Sequence, residues 1–98
     1  MSNQTLKVLR MRSGEDVLSM IEDHGNSVTL VDAVTLIPTQ HGQVQFIPYV
    51  PFAEKGTPVE IQKDFIVYIV DPAQEMADHF RQMTSGIVVE PKQSIIAP

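Results

Sequence analysis

The chain contains no cysteine, which excludes disulfides and thiolate metal sites and fits a reducing compartment. No apolar run approaches the roughly 20 residues that a membrane-spanning helix needs. Met1 is followed by the polar stretch Ser2-Asn3-Gln4-Thr5, without the apolar core of a cleaved secretion signal. The expectation is therefore a cytoplasmic protein with no membrane partner. Positive charge is also scarce: seven Lys and Arg stand against 12 Asp and Glu, a net charge of −5. Nucleic-acid binders draw much of their affinity from neutralising phosphates. An acidic chain must gather its few cations locally to bind one, and broad nucleic-acid binding is disfavoured. Lys55, Lys63, Lys92, Arg10, Arg12 and Arg81 form no run and read as dispersed charges that keep the protein in solution.

Catalytic and metal-binding patterns are likewise missing. His24, His41 and His79 are scattered, with no two at ligand spacing on one element, so neither a metal site nor a cofactor is expected. The acidic group Glu15, Asp16, Glu22 and Asp23 has no base or nucleophile motif beside it and reads as solvated strand ends. Ser13, Ser19, Ser27 and Ser85 lack any elbow or triad context. The chain is not expected to be an enzyme.

What is present is a series of short strands with strong turn signals. The 98 residues make one domain, 1–98, with a real but thin core. Leu6–Met11 reads as a first strand and Ser13-Gly14-Glu15 as a tight turn. Asp16–Glu22 is a second strand, ended by Asp23-His24-Gly25-Asn26, where Gly and Asn tolerate positive φ. Val28–Ile37 is the third and longest, its apolar face of Val28, Leu30, Val34 and Leu36 interrupted by Asp32. Gln43–Phe52 alternates best, with Val44, Phe46, Val50 and Phe52 on one side. Pro48 and Pro51 cannot donate to a ladder, so this strand lies at an edge or is kinked. Ala53–Pro58 is a loop.

Val59–Val70, VEIQKDFIVYIV, carries the densest signal. Val59 and Ile61 alternate with Glu60 and Gln62, Lys63-Asp64 makes a corner, and Phe65–Val70 is an unbroken apolar run. Such a run needs cover on both faces, and pairing with another subunit is one way a small domain obtains it. A helix over 71–85 follows, with Asp71 as N-cap, Pro72 at the first helical position and Gln74 closing a capping box. Ala73, Met76, Ala77, Phe80 and Met83 form its apolar stripe, and Gly86 ends it. The stripe packs on the strands or offers a protein partner a groove. Ile87–Val89 could add a short strand, and 86–98 reads as a tail. Closely spaced short strands with one helix suggest a small barrel.

The same residues resemble the Sm/LSm family of small, strongly bent barrels. In the family's first motif a Gly opens a strand, an Asp begins a turn, and the next strand ends in Asp-Ala. Gly14, Asp23, Val28, Leu30, Asp32 and Ala33 fall at those offsets. Ile61, Asp64 and Ile66, continued by Val67-Tyr68-Ile69, match the second motif, and the likeness spans Leu6 to Val70. It implies a five-stranded Sm-like, SH3-type barrel over 6–70 with a C-terminal helix, and a cyclic homo-oligomer of about five to seven subunits. Placing the helix after the barrel resembles divergent Sm-like proteins of tailed phages, which would work in the host cytoplasm. The resemblance further implies that Val59, Ile61, Phe65, Ile66, Val67 and Tyr68 form the subunit seam. It implies single-stranded RNA binding in RNA metabolism or regulation at Asn26, Ser27, Gln62, Lys63 and Asp64, with Asp23 and Asp32 bracing the loops. The family's stacking side chain and Arg correspond to Asn26 and Gln62, and its Gly to Lys63. Base stacking alone is worth about 1–3 kcal/mol, so the RNA site is degenerate. The alternative is a ring-shaped assembly or adaptor protein that contacts another protein through the helix and tail.

Overall fold

The computed structural model describes residues 4–54 and 56–84. The expected helix end at Gly86, the strand Ile87–Val89 and the tail lie outside the described residues, as do Lys55 and Lys92. The strands are β1 (Thr5–Met11), β2 (Asp16–Asp23), β3 (Ser27–Pro38), β4 (Val44–Pro48), β5 (Val59–Gln62) and β6 (Ile66–Val70). A single 3-10 turn, Lys63–Phe65, links β5 to β6, and one helix, α1 (Gln74–Thr84), follows.

The turns expected around Gly14 and Gly25 form, both glycines at positive φ (106° and 94°) where a Cβ would be strained. Around the first, the Met11 and Gly14 amides donate to the Glu15 and Met11 carbonyls at 3.0 and 2.9 Å. The hairpins so closed give an antiparallel sheet in the order β4-β3-β2-β1-β6, with β5 also on β3. Among the described residues there are thus six strands rather than five, and the sheet they form does not close. The outer edges of β4, β5 and β6 have no strand partner among the described residues.

β3 serves two neighbours in succession because it bends. Its first part, Ser27–Leu30, pairs with Gln62–Val59, and its last part, Val34–Pro38, pairs with Pro48–Val44. Between them the register against β2 slips, with Leu18 opposite Val34 but Met20 opposite Val31. Asp32 and Ala33 therefore face Ser19 alone, a β-bulge that kinks the strand. Asp32 takes φ 58°, the only positive-φ residue besides glycine among those described; a short polar side chain tolerates that region best. The wholly buried Ser19 hydroxyl fills the slip, its one proton shared between Met20 O (2.7 Å) and Val31 O (3.0 Å) while its oxygen accepts from Val31 N (3.1 Å).

Two apolar layers result. Leu9, Met11, Val17, Ile21, Val28 and Leu30 form the inner core inside the bend. Leu18, Val34 and Phe80, flanked by Leu36, Phe46 and Met76, form the second on the outer face, under α1. Adjacent Val17 and Leu18 enter opposite layers, so β2 is the strand covered on both faces. Ala77 and Phe80 are the buried part of the helical stripe, whereas Ala73 and Met83 are exposed.

Two boundaries differ from the sequence pattern. α1 begins at Gln74 because its first helical bond runs from Ala77 N to Ala73 O (3.0 Å), while Asp71 forms an ion pair with Lys7 instead of capping. β4 ends at Pro48, and the chain then turns, with Ala53 N donating to Val50 O at 3.1 Å. The alternation that suggested a strand to Phe52 continues through a turn, leaving Phe52 wholly exposed.

Candidate functional site

The β2–β3 turn and the corner after β5 are far apart in sequence but adjacent in space. Ser27 pairs with Gln62 in the β3–β5 ladder, and Lys63 N donates to Asn26 O at 2.9 Å. Asp23 locks the corner from both sides. Its Oδ1 accepts from Gly25 N at 2.8 Å and its Oδ2 from Lys63 Nζ at 2.9 Å. The Gly25 amide, then Lys63, hold the Asp23 carboxyl below the usual carboxylate range.

The geometry thus gathers Asn26, Gln62, Lys63 and Asp64 around one corner. Asn26, Gln62 and Asp64 are exposed, and Lys63 is half-buried. Ser27 is different: it is buried, and its hydroxyl donates to Glu60 Oε2 at 2.6 Å. Asp32, expected to brace this loop, stands at the bend of β3. Arg12 reaches the corner from the end of β1, its amide donating to Phe65 O (2.8 Å) and its Nη1 to Asp64 O (3.2 Å). Sequence spacing does not foreshadow this cation, which arrives through the pairing of β1 with β6. His24 stands beside the turn, with Nε2 2.8 Å from Thr29 Oγ1 and 3.6 Å from Glu22 Oε1. The corner therefore offers amide and carboxylate edges with two nearby cations, one of them paired with Asp23. That set suits hydrogen bonds to base edges better than neutralisation of a phosphate chain.

The expected seam residues divide by depth. Ile61 and Ile66 pack against the inner core, and Val59 is half-buried. Phe65, Val67 and Tyr68 are 37%, 61% and 41% exposed, next to the free edge of β6. Arg10 lies over the Tyr68 ring, 5.8 Å from its centroid, and binds Asp16 through two hydrogen bonds of 2.6 and 3.0 Å.

A second feature was not indicated by any sequence motif. Where β3 passes from β5 to β4 it leaves a cleft of about 420 Å³. Leu30, Val34, Phe46, Val59 and Met83 give it apolar walls, and Asp32 and Glu54 are its acidic lining residues. Among the described residues, no three His, Cys, Asp or Glu side chains group as a metal site, and no helix is long and apolar enough to cross a membrane.

No known family model matches the chain, and no curated protein is significantly similar to it.

Proposed function

We propose that the protein is an Sm-like barrel that assembles, through β5 of one subunit and β6 of the next, into a closed homo-oligomer of about five to seven copies. The ring binds single-stranded RNA at the corner formed by Asn26, Gln62, Lys63 and Asp64. The observation that carries this reading is the pair of open edges. Strands β5 and β6 are consecutive, joined by three residues, yet they terminate the sheet on opposite sides and do not pair with each other. Each leaves main-chain donors and acceptors without a strand partner among the described residues, and a cyclic arrangement satisfies both without leaving an open end.

Support for RNA comes from the convergence of the two loops at Lys63 and Asn26. Binding is weak in this reading, because Asn26 stands where the resemblance puts the base-stacking side chain and a ring multiplies the net charge of −5. The second reading, an adaptor that binds another protein, is favoured by that same charge and by the cleft beside the end of α1.

Light scattering tests the ring, and Val67→Asp tests its seam. Val67 is 61% exposed in the single chain, so the charge burdens the fold little unless a neighbour covers β6. The expected result is loss of the oligomer with an unchanged far-UV spectrum. A wild-type monomer at micromolar concentration sinks the ring, and an oligomer that survives Val67→Asp removes β6 from the interface. For RNA, oligo-U is titrated at roughly 50 mM salt, where electrostatic affinity is high. Binding that Lys63→Glu abolishes supports the site; no binding leaves the adaptor reading.

A further inference from the structure

We propose that the cleft at the bend of β3 binds an extended segment of another protein that presents an aliphatic side chain next to an arginine. The inference does not depend on ring closure or on RNA. The cleft is a formed feature rather than a gap between loose loops. Its floor includes Leu30 and Val34, buried residues on either side of the bulge. Its wall is a succession of hydrogen-bonded turns: Tyr49 N donates to Ala33 O (2.9 Å), Ala53 N to Val50 O (3.1 Å), and Thr57 N and Oγ1 to Glu54 O (3.1 and 2.6 Å). At about 420 Å³ the space suits one or two side chains, and pockets of this kind orient their occupant through a few polar groups.

Those groups here are Asp32 and Glu54, and no Lys, Arg or His is among the described lining residues. A cation beside the apolar anchor complements them. Phe52 argues for guanidinium in particular. It lies between Pro51 and Ala53 in the chain, does not itself line the cleft, and is wholly exposed. A planar cation can lie on an aromatic face while bonding a carboxylate, so one arginine could engage Phe52 and Glu54 together. The partner would thereby also cover Phe52.

The test pans a library of random displayed peptides against the full-length protein and maps the enriched peptides by methyl NMR. The expected peptides pair Arg with Leu, Ile or Met, and shift Leu30, Val34, Val59 and Met83. Asp32→Asn and Glu54→Gln each weaken them roughly threefold, and about tenfold in combination; Phe52→Ala weakens Arg peptides more than their Lys counterparts. Both carboxylates are exposed, and Asn is tolerated at positive φ, so these variants are expected to fold. Enriched peptides without a basic residue, equal binding by the neutralised variants, or shifts away from the cleft overturn the proposal. So does a failure to enrich any peptide on the full chain when removal of residues 85–98 moves the cleft methyls, because the chain itself would then be the occupant.

Discussion

Ser19→Ala tests the bend on which both candidate sites rest. The hydroxyl is fully buried and makes three contacts, one accepted from Val31 N and the others shared between the Met20 and Val31 carbonyls. The carbonyls lose one acceptor interaction each and keep other geometry. The Val31 amide, whose strand position has slipped out of register, loses the partner recorded at 3.1 Å. An orphaned buried donor costs about 1–3 kcal/mol and a lost neutral hydrogen bond about 1 kcal/mol, so the substitution is expected to destabilise by about 2–3 kcal/mol. In urea, with a slope near 1–2 kcal/mol per molar, the midpoint falls by roughly 1–3 M at fixed protein concentration. Exchange of the Val31 amide should accelerate beyond that of its neighbours on β3. A loss under about 0.5 kcal/mol with unchanged Val31 exchange refutes the reasoning. The bulge would then be held by packing alone.

Three further outcomes follow from the geometry. Phe80→Ala removes the aromatic ring that α1 buries against the sheet, 2% exposed, and is expected to cost about 3–5 kcal/mol; loss of helical signal before loss of sheet signal on heating would show α1 to be the first element released. Asp16 is held below its ordinary value of 3.8 by its hydrogen bonds to Arg10. Its stabilisation is therefore full above that value and lost as pH falls through the lower folded value. Asp16→Asn should be less stable than wild type at neutral pH and converge with it in acid; a constant gap across the titration contradicts the pairing. Asp23→Asn keeps an acceptor for Gly25 N but removes the charge facing Lys63, so under the proposed RNA reading oligo-U binding should strengthen several-fold and become more salt-dependent. Unchanged binding would mean that Lys63 does not meet RNA.

Sequence pattern reaches most of the sheet because local chemistry determines most of it. The Gly14 and Gly25 turns, strands β1 to β3, the Lys63-Asp64 corner and the Phe80 stripe all express short-range rules, and all appear. Failures occur where tertiary contacts outweigh those rules. Asp71 has the chemistry of a helix cap, but Lys7, brought beside it by the β1–β6 pairing, takes its carboxylate. Val50 and Phe52 continue an apolar alternation, yet Pro48 ends the ladder and the turn places Phe52 in solvent. Asp32 was visible as an interruption of an apolar face; that it marks a positive-φ bulge required the register against Ser19. The corner residues were legible as two turns, but Arg12 and the burial of Ser27 were not, since both depend on cross-strand partners. The cleft has no sequence signature because its lining comes from β3, β4, β5, two turns and the end of α1.

The apolar run of β6 poses the remaining physical question. The unbroken apolar run Phe65–Val70 suggests a strand covered on both faces, yet that position belongs to β2, where the inner core and α1 meet on opposite sides. In the single chain β6 buries only one side, leaving Val67 and Val70 61% and 45% exposed. The three open edges are not equivalent. β4 carries Pro48, which cannot donate to a ladder, and β5 carries one charge, Glu60, whose carboxylate accepts from the Ser27 hydroxyl. β6 carries neither proline nor charge. A β-branched edge without either is an aggregation hazard unless pairing is its use, and although the ladder to β1 skips Val67 in a bulge, this contrast singles out β6 among the three. Val67→Lys distinguishes the alternatives. If the edge is merely unprotected, the lysine should reduce aggregation and leave the oligomeric state unchanged; if the edge is the proposed seam, the same lysine should convert an oligomer into folded single chains.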